Sequence, residues 1–294
     1  MWILTVDGGG SKTAARLTDT STGKQWQQQA GPASLTNDFA LALQNIMQLS
    51  SALCREAGVD SKQLRVVMGL AGAGNPQQQQ QAHAQLAPLY HSLFVTTDAH
   101  TSLYGANLGQ PVLVVALGTG SVAMRLLPDG TEQQIGGWGF NIGDEAGGAW
   151  LGKLAVRQLL WQVDSLDGIQ SPLLQAIAGK IGSTAAQLLP WLKSAEPNDF
   201  AALAPLVFQY RRQCAVAAEL LQQQIGAVTQ LITQGLAHYR LPVVLLGGLA
   251  GDTMPLLPDA LQAQLQPARG SALDGAFILA TQHHLTPHNC GNTL

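Results

Sequence analysis

Charge is scarce in this 294-residue sequence: Asp, Glu, Lys and Arg make up 11% of it, and Lys and Arg nowhere form a run. With a net charge of −3 it offers no electrostatic footprint for a polyanion, so nucleic acid is not an expected partner. Cysteine is scarcer still. Cys54, Cys214 and Cys290 are odd in number, far apart and without a CxxC pair, which argues against a zinc site or a disulfide framework. A reducing cytoplasm is the simplest home. Long apolar runs are missing too: Val112–Leu117 and Val243–Leu246 fall far short of the roughly 20 residues that span a bilayer, so no membrane partner is expected. The N-terminus lacks a basic segment and a cleavage site, so no signal peptide is expected. The seven histidines show no metal-ligand spacing.

What is present is apolar substance, at 46% hydrophobic residues, and a length that suits two lobes or one large domain. An internal repeat favours two lobes. Residues 2–29 read as a strand (Trp2–Val6), a glycine-rich turn, a strand (Ala14–Asp19), a Ser-Thr-Gly turn and a third strand (Lys24–Gln29). Residues 111–137 repeat this with Val112–Leu117, Gly118-Thr119-Gly120-Ser121, Val122–Leu127, Pro128-Asp129-Gly130 and Thr131–Ile135. Turn residues between alternating flanks are a hairpin signal. Two such units suggest related lobes facing one cleft.

Apolar spacing predicts a helix over Asp38–Ala57, strands at Arg65–Leu70 and Leu93–Thr97, and a helix over Ala99–Leu108. The second half reads as mostly helical: Gly148–Val163, Pro172–Ile181, Ala185–Leu192 and a long helix near Phe208–Tyr239. A strand at Pro242–Leu246, a helix over Pro258–Leu265 and a closing helix over Leu273–His283 follow. The glutamine clusters Gln77–Gln81 and Gln222–Gln224 read as polar faces or loop and carry no function.

The first turn, Asp7-Gly8-Gly9-Gly10-Ser11-Lys12-Thr13, has the chemistry of a phosphate cradle. Glycine lets backbone N–H groups approach phosphate oxygens closely, and Ser11 and Thr13 add short hydroxyls. A helix-opening phosphate loop needs glycine directly before its lysine; here Ser11 separates Gly10 from Lys12 and a strand follows. Taken alone, an ordinary hairpin explains the turn as well. The second turn, Gly118-Thr119-Gly120-Ser121, tips the balance toward phosphate.

Asp7 can hold Mg²⁺ beside the phosphates or cap the turn's N–H groups. Asp98 ends a strand and precedes a helix, so it can be a helix cap or a general base for an attacking hydroxyl. The stretch Gly136–Gly148 holds Trp138, Phe140, Asp144 and Glu145 among its glycines. Carboxylates that take hydroxyl protons and aromatic faces that cover C–H surfaces suit a sugar, and the bland alternative is a loop in which Asp144 caps the next helix. Gly247 and Gly248, between a strand and a helix, fit close approach to an adenosine moiety. His100 reads as a surface helix residue near Asp98.

In order, Asp7–Thr13, Gly69-Leu70-Ala71-Gly72, Thr97-Asp98-Ala99, Gly118–Ser121, Gly136-Gly137-Trp138-Gly139, Gly143-Asp144-Glu145 and Gly247-Gly248 resemble the BadF/BadG-type ATPase family, and within it the N-acetylglucosamine and glucosamine kinases. The resemblance spans essentially the whole chain. It implies an α/β, actin-like (ribonuclease H-like) fold of two duplicated lobes around a nucleotide cleft. The N-terminal lobe would be residues 1–110 and the C-terminal lobe 111–273, with a last helix of about 274–294 packing back on the first.

The resemblance also implies ATP and Mg²⁺ as cofactors, with the metal at Asp7. The nucleotide would meet Gly9, Gly10, Ser11, Lys12, Thr13, Gly118, Thr119, Gly120, Ser121, Gly247 and Gly248. Asp98 would activate the sugar 6-hydroxyl, and Asn37, Gly72, Trp138, Asp144 and Glu145 would line the sugar. Relatives of this type usually carry Thr where Ser11 stands, and they are often dimers. The Gly-Trp-Gly segment leans toward the acetylated amino sugar.

Two rival readings remain. A reductive activase of the same family needs cysteine ligands for an iron–sulfur cluster, and no cysteine here sits in a glycine-rich loop. A non-catalytic sugar sensor would carry a DNA-binding module, for which a first strand beginning at Trp2 leaves no room.

Overall fold

The computed structural model describes residues 1–165 and 167–282. Cys290, His283, His284, His288 and the end of the expected closing helix lie outside the described residues. The chain divides into two compact units. The first comprises Met1–Val112, Pro128–Gly130 and the described residues from Pro267; the second comprises Leu113–Leu127 and the described part of Thr131–Gln266.

The first unit opens with β1 (Trp2–Gly8), β2 (Thr13–Asp19) and β3 (Gln25–Ala30), an antiparallel meander. Helix α1 (Phe39–Ala57) follows, then β4 (Leu64–Leu70), α2 (Pro76–Leu86), β5 (Ser92–Thr97) and α3 (Asp98–Ala106). The sheet order is β3-β2-β1-β4-β5, with β4 parallel to both β1 and β5. Helix α1 starts where Asp38 accepts the N–H of Leu41 and stops where Gly58 takes a left-handed conformation. Its Leu43, Ile46, Leu49 and Leu53 recur at helical spacing and are buried against the sheet, each worth about 1.5–3 kcal/mol.

In the second unit, β6 (Val112–Leu117), β7 (Ser121–Leu126) and β8 (Glu132–Gly136) repeat the meander. Helices α4 (Gly148–Val163), α5 (Pro172–Ile181), α6 (Ala185–Ser194), α7 (Pro197–Ala201), α8 (Ala204–Tyr210) and α9 (Ala215–Leu236) come next. Strand β9 (Val243–Leu246) pairs parallel to β6, giving the order β8-β7-β6-β9. Short α10 (Ala250–Thr253) and α11 (Asp259–Gln262) follow, and α12 (Ala272–Gln282) belongs to the first unit, packed on α3 and β1. In each sheet a hairpin meander lies beside a parallel strand, so the repeat seen in the sequence is a repeat of topology.

Of the two readings of Gln77–Gln81, the polar helix face holds: the segment lies within α2, because Asn75 accepts the N–H groups of Gln77 and Gln78 and Pro76 sits at the first helical position. Two expectations change. The long helix near Phe208–Tyr239 is two helices: Cys214 is extended (φ −151°, ψ 148°), and the exposed Arg211–Gln213 turn separates α8 from α9. The helix expected over Pro258–Leu265 is a single turn, because Leu265 instead bridges to Val243 beside β9.

Glycine sets how closely α12 approaches α3. A Cβ at Gly275 would lie 1.8 Å from the Thr101 carbonyl oxygen and 2.5 Å from the Gly105 nitrogen. Both are backbone atoms of a packed helix and cannot step aside. Gly275→Ala should therefore cost about 1–3 kcal/mol or more, seen as a lower denaturant midpoint with an unchanged slope. An unaltered midpoint would mean that α12 is free to shift.

Candidate active site

The parallel register of the first sheet aligns Asp7 with Gly69 on β4, and Gly69 with Thr96 on β5. Asp7 and Asp98 therefore leave the same edge of the sheet, at the carboxyl ends of β1 and β5. In open α/β sheets ligands bind at that edge. Gly69 also brings α3 close: a Cβ there would fall 2.2 Å from Oγ1 of the buried Thr101, which donates to the Asp98 carbonyl. The first turn of α3 is thus seated on β4, and Asp98 with it.

Which residue caps α3 decides what Asp98 is for. The cap is Thr97, whose hydroxyl accepts the His100 N–H at 3.0 Å. Asp98 is the first helical residue, and one carboxylate oxygen accepts the Ala99 N–H at 2.9 Å. The capping alternative raised by the sequence is therefore filled by its neighbour. Burial pushes the Asp98 carboxyl above its ordinary range, against backbone hydrogen bonds that hold it down. The Asp7 carboxyl is raised as well, by burial and then by the negative charge of Asp98, while Lys12 pulls it down. Two carboxylates and a lysine thus sense one another beside the first glycine turn.

That turn is closed by the Gly9 N–H donating to the Lys12 carbonyl at 3.0 Å. Gly10, Ser11 and Lys12 are exposed, and their N–H groups have no internal partner among the described residues. Thr13 is different. It is 0% exposed and its hydroxyl donates to the Gly31 carbonyl at 2.7 Å, so it anchors the hairpin to the following segment. Asn37 sits near the turn, its amide nitrogen 3.7 Å from where a Gly10 Cβ would be. Gly72, with φ +85°, lets its loop pass tightly against Thr36, the neighbour of Asn37. Asn37, Gly72 and the first turn therefore cluster. His100 is not a loose surface residue: its ring bonds the Thr96 hydroxyl at 2.7 Å and meets Phe94 and Tyr104 edge-on.

In the second unit the glycine turn is docked on the start of α4. The N–H groups of Gly148 and Ala149 donate at 2.8 Å to the carbonyls of Gly118 and Thr119. Gly120 is required here, because a Cβ would meet a carboxylate oxygen of Asp144 at 2.3 Å. Ser121 is 6% exposed, and its hydroxyl is committed to the Glu145 carbonyl. Thr119 stays open and donates to the side-chain oxygen of Asn198 at 3.0 Å. Asn198, on α7, went unnoticed in the sequence, where an isolated Asn after Pro carries no signal beyond a helix start. Gly247, with φ +96°, packs against the Leu117 carbonyl, so Gly247 and Gly248 lie beside the Gly118 turn.

Asp144 does not cap α4. The cap position is Gly147, and Asp144 instead accepts the Gly139 N–H at 3.0 Å, folding the glycine loop back on itself. Its carboxyl is raised by burial, opposed by the Gly139 bond and raised further by Glu145. The loop's two aromatics part company. Trp138 is 85% exposed and packs its Cβ on Gly143, whereas Phe140 turns inward against Phe200 and under the Lys153 ammonium. Only Trp138 offers a free ring face. Asn37 and Gly72 belong to the first unit, and Trp138, Asp144 and Glu145 to the second.

Among the described residues Cys54 and Cys214 are free thiols, and no cluster of three or more metal-ligating side chains occurs. No helix among them is long and apolar enough to cross a membrane.

The comparisons with known proteins converge. A glucosamine kinase from Vibrio cholerae is 27% identical over 97% of this chain and 98% of its own. The structure of a candidate N-acetylglucosamine kinase from Chromobacterium violaceum superposes with a TM-score of 0.85 at 33% identity, covering 96% of this chain and 99% of that one. A ROK family glucokinase from Streptomyces griseus shares the fold alone, with a TM-score of 0.53 at 13% identity over 96% of this chain and 99% of that one. The fold is the actin-like ATPase fold of these sugar kinases. Residues 4–270 match the BadF/BadG/BcrA/BcrD ATPase family, and the chain belongs to it.

Proposed function

We propose that this protein is an ATP-dependent amino-sugar kinase that transfers the γ-phosphoryl group to the 6-hydroxyl of N-acetylglucosamine or glucosamine, with Asp98 as general base. The observation that carries this reading is the release of Asp98 from capping duty. Thr97 holds the α3 N-terminus, which leaves a half-buried carboxylate with one committed oxygen at the ligand edge of the sheet. The kinship with amino-sugar kinases supplies the substrate class.

The residues divide the work. Asp98 accepts the hydroxyl proton as the sugar oxygen bonds to the γ-phosphorus, and the bond from that phosphorus to the β,γ-bridging oxygen breaks to release ADP. The exposed N–H groups of Gly10, Ser11 and Lys12, the Ser11 hydroxyl and the Lys12 charge suit phosphate oxygens. In the second turn Thr119 and Gly120 take that role while the Gly118 N–H closes the turn on the Gly120 carbonyl, and Gly247 and Gly248 leave backbone open to the adenosine. Thr13 and Ser121 shape their turns from within, because their hydroxyl protons are already committed. Asn37, Gly72, Trp138, Asp144 and Glu145 are the sugar residues in this reading, with Trp138 as the ring platform.

Mg²⁺ fits the residues present. Asp7 is a half-buried carboxylate facing a second negative charge, which a cation would relieve. Mg²⁺ is commonly held by one or two carboxylates and completes its shell with substrate phosphates and water, so a single aspartate would suffice. Held by Asp7, the ion would neutralise charge on the nucleotide phosphates.

A purified-protein ADP-release assay against amino sugars and plain hexoses tests the substrate class. Release with N-acetylglucosamine or glucosamine, and little with glucose, is expected; equal release without sugar would make the protein a simple ATPase.

Asp98→Asn should lower kcat by about 10²–10⁴-fold while ATP affinity stays near normal. Normal turnover would remove Asp98 from the chemistry. The same variant should be more stable than wild type without ligands at neutral pH. Burial raises the folded carboxyl above its unfolded value of 3.8, so stability is fully present below that value and is lost as pH rises through the folded one. Asn keeps the bond to Ala99 and removes the charge. A melting temperature at pH 7 that does not rise would contradict this account of the carboxyl.

A further inference from the structure

Gln224 lies on α9, in a glutamine-rich stretch that reads as a polar helix face, yet it is 0% exposed. A buried amide is costly unless its hydrogen bonds are made, so its partners matter. The amide nitrogen donates to the Ala146 carbonyl at 3.3 Å and to the Thr253 hydroxyl at 3.2 Å, and the amide oxygen has no partner. Because a carbonyl can only accept, the nitrogen must face Ala146. The structure therefore keeps a buried, unpaired acceptor in order to place a donor at this one carbonyl.

The backbone at that carbonyl is unusual. Asp144 and Ala146 have φ of +59° and +74°, two of only four non-glycine residues with positive φ among the described residues. Asp tolerates this conformation; alanine has no side-chain compensation for it. Such strain persists only where the surroundings over-determine it. Here the Ser121 hydroxyl holds the Glu145 carbonyl, Gln224 holds the Ala146 carbonyl, and Asp144 holds the Gly139 N–H. The second arm of Gln224 reaches Thr253, also 0% exposed, at the end of the short helix that follows Gly247 and Gly248.

We propose that Gln224 is a positioning residue: it pins the strained Asp144–Ala146 bend that presents Asp144 and Glu145, and ties that bend to the turn after Gly247-Gly248. The inference rests on the reading of Asp144 and Glu145 as sugar residues. Gln224 touches no substrate and acts through the backbone it holds.

The test is steady-state kinetics with N-acetylglucosamine, glucosamine and ATP on the full chain. Gln224→Met, similar in size but without the amide, should raise the amino-sugar KM by about tenfold or more, with a smaller change in the KM for ATP. Adding Ala146→Gly should recover much of that loss, because glycine adopts positive φ without strain. A residue that merely fills space would not be rescued by a glycine on another element. An unchanged amino-sugar KM in folded Gln224→Met, or no recovery in the double variant, overturns the proposal.

If Gln224→Met does not fold, Gln224→Glu decides. Its protonated acid can donate to the Ala146 carbonyl and its carboxylate cannot, so an amino-sugar KM that rises with pH beyond the wild-type trend supports the role and a wild-type-like profile overturns it. Asp144→Asn serves as the control on the underlying reading. If it leaves the amino-sugar KM unchanged, the sugar assignment of the loop fails and the proposal with it. If it raises the KM while Gln224→Met does not, only the role of Gln224 fails.

Discussion

The first unit is organised around a carboxylate that the fold makes costly to charge. Asp98 is half-buried, and its negative charge repels that of Asp7 at the same edge of the sheet. A protein selected only for stability would place an amide or a hydroxyl there. Instead, three features hold the acid in place: Thr97 takes over the cap, Gly69 admits Thr101, and Thr101 fastens the first turn of α3. A general base is useful when its pKa lies closer to working pH than that of a free carboxylate, and burial moves it in that direction. In the proposed reading, the cost of charging Asp98 and its fitness as a base have one origin.

The two glycine turns show how a duplicated local device can be specialised. Each closes a hairpin, and in each a hydroxyl beside the turn is withdrawn from solvent to bond a carbonyl: Thr13 to Gly31, Ser121 to Glu145. These bonds attach each turn to the next segment of its own unit. In the first unit that segment runs on to Asn37; in the second it is the bend bearing Asp144 and Glu145. In the proposed reading, a phosphate turn and a sugar loop are thus physically joined within each unit. Hydroxyls beside a glycine turn read as phosphate ligands in the sequence, because side-chain chemistry alone does not reveal which way a group points.

Legibility follows the range of the interaction. The meanders were readable because alternation and glycine turns are local, and α1 because its apolar stripe and its Asp38 and Gly58 ends are local too. The break between α8 and α9 was not, since Arg and Gln are ordinary helix residues and nothing local marks Cys214 as extended. Asp98 was read as a possible cap at a strand-to-helix junction, but Thr97 beside it can cap a helix equally well. Only the position of the His100 N–H chose between them. Asn198 and Gln224 were hidden for the same reason, their significance lying wholly in partners far along the chain.

The positive φ at Ala146 is the point where local preference and observed structure conflict most plainly. Alanine is a strong helix former, and α4 begins two residues later, so continuing the helix backward would have been the easy path. Had it done so, Gly147 and Gly148 would not lie against Gly120 and Gly118, where a Cβ would meet backbone at 2.6 and 3.2 Å. The left-handed step at Ala146 lets the chain turn, bring the start of α4 under the Gly118 turn, and direct Asp144 back toward Gly139. One strained residue thus reconciles two demands on adjacent backbone: close approach to the Gly118 turn, and a carboxylate pair carried on the loop before it.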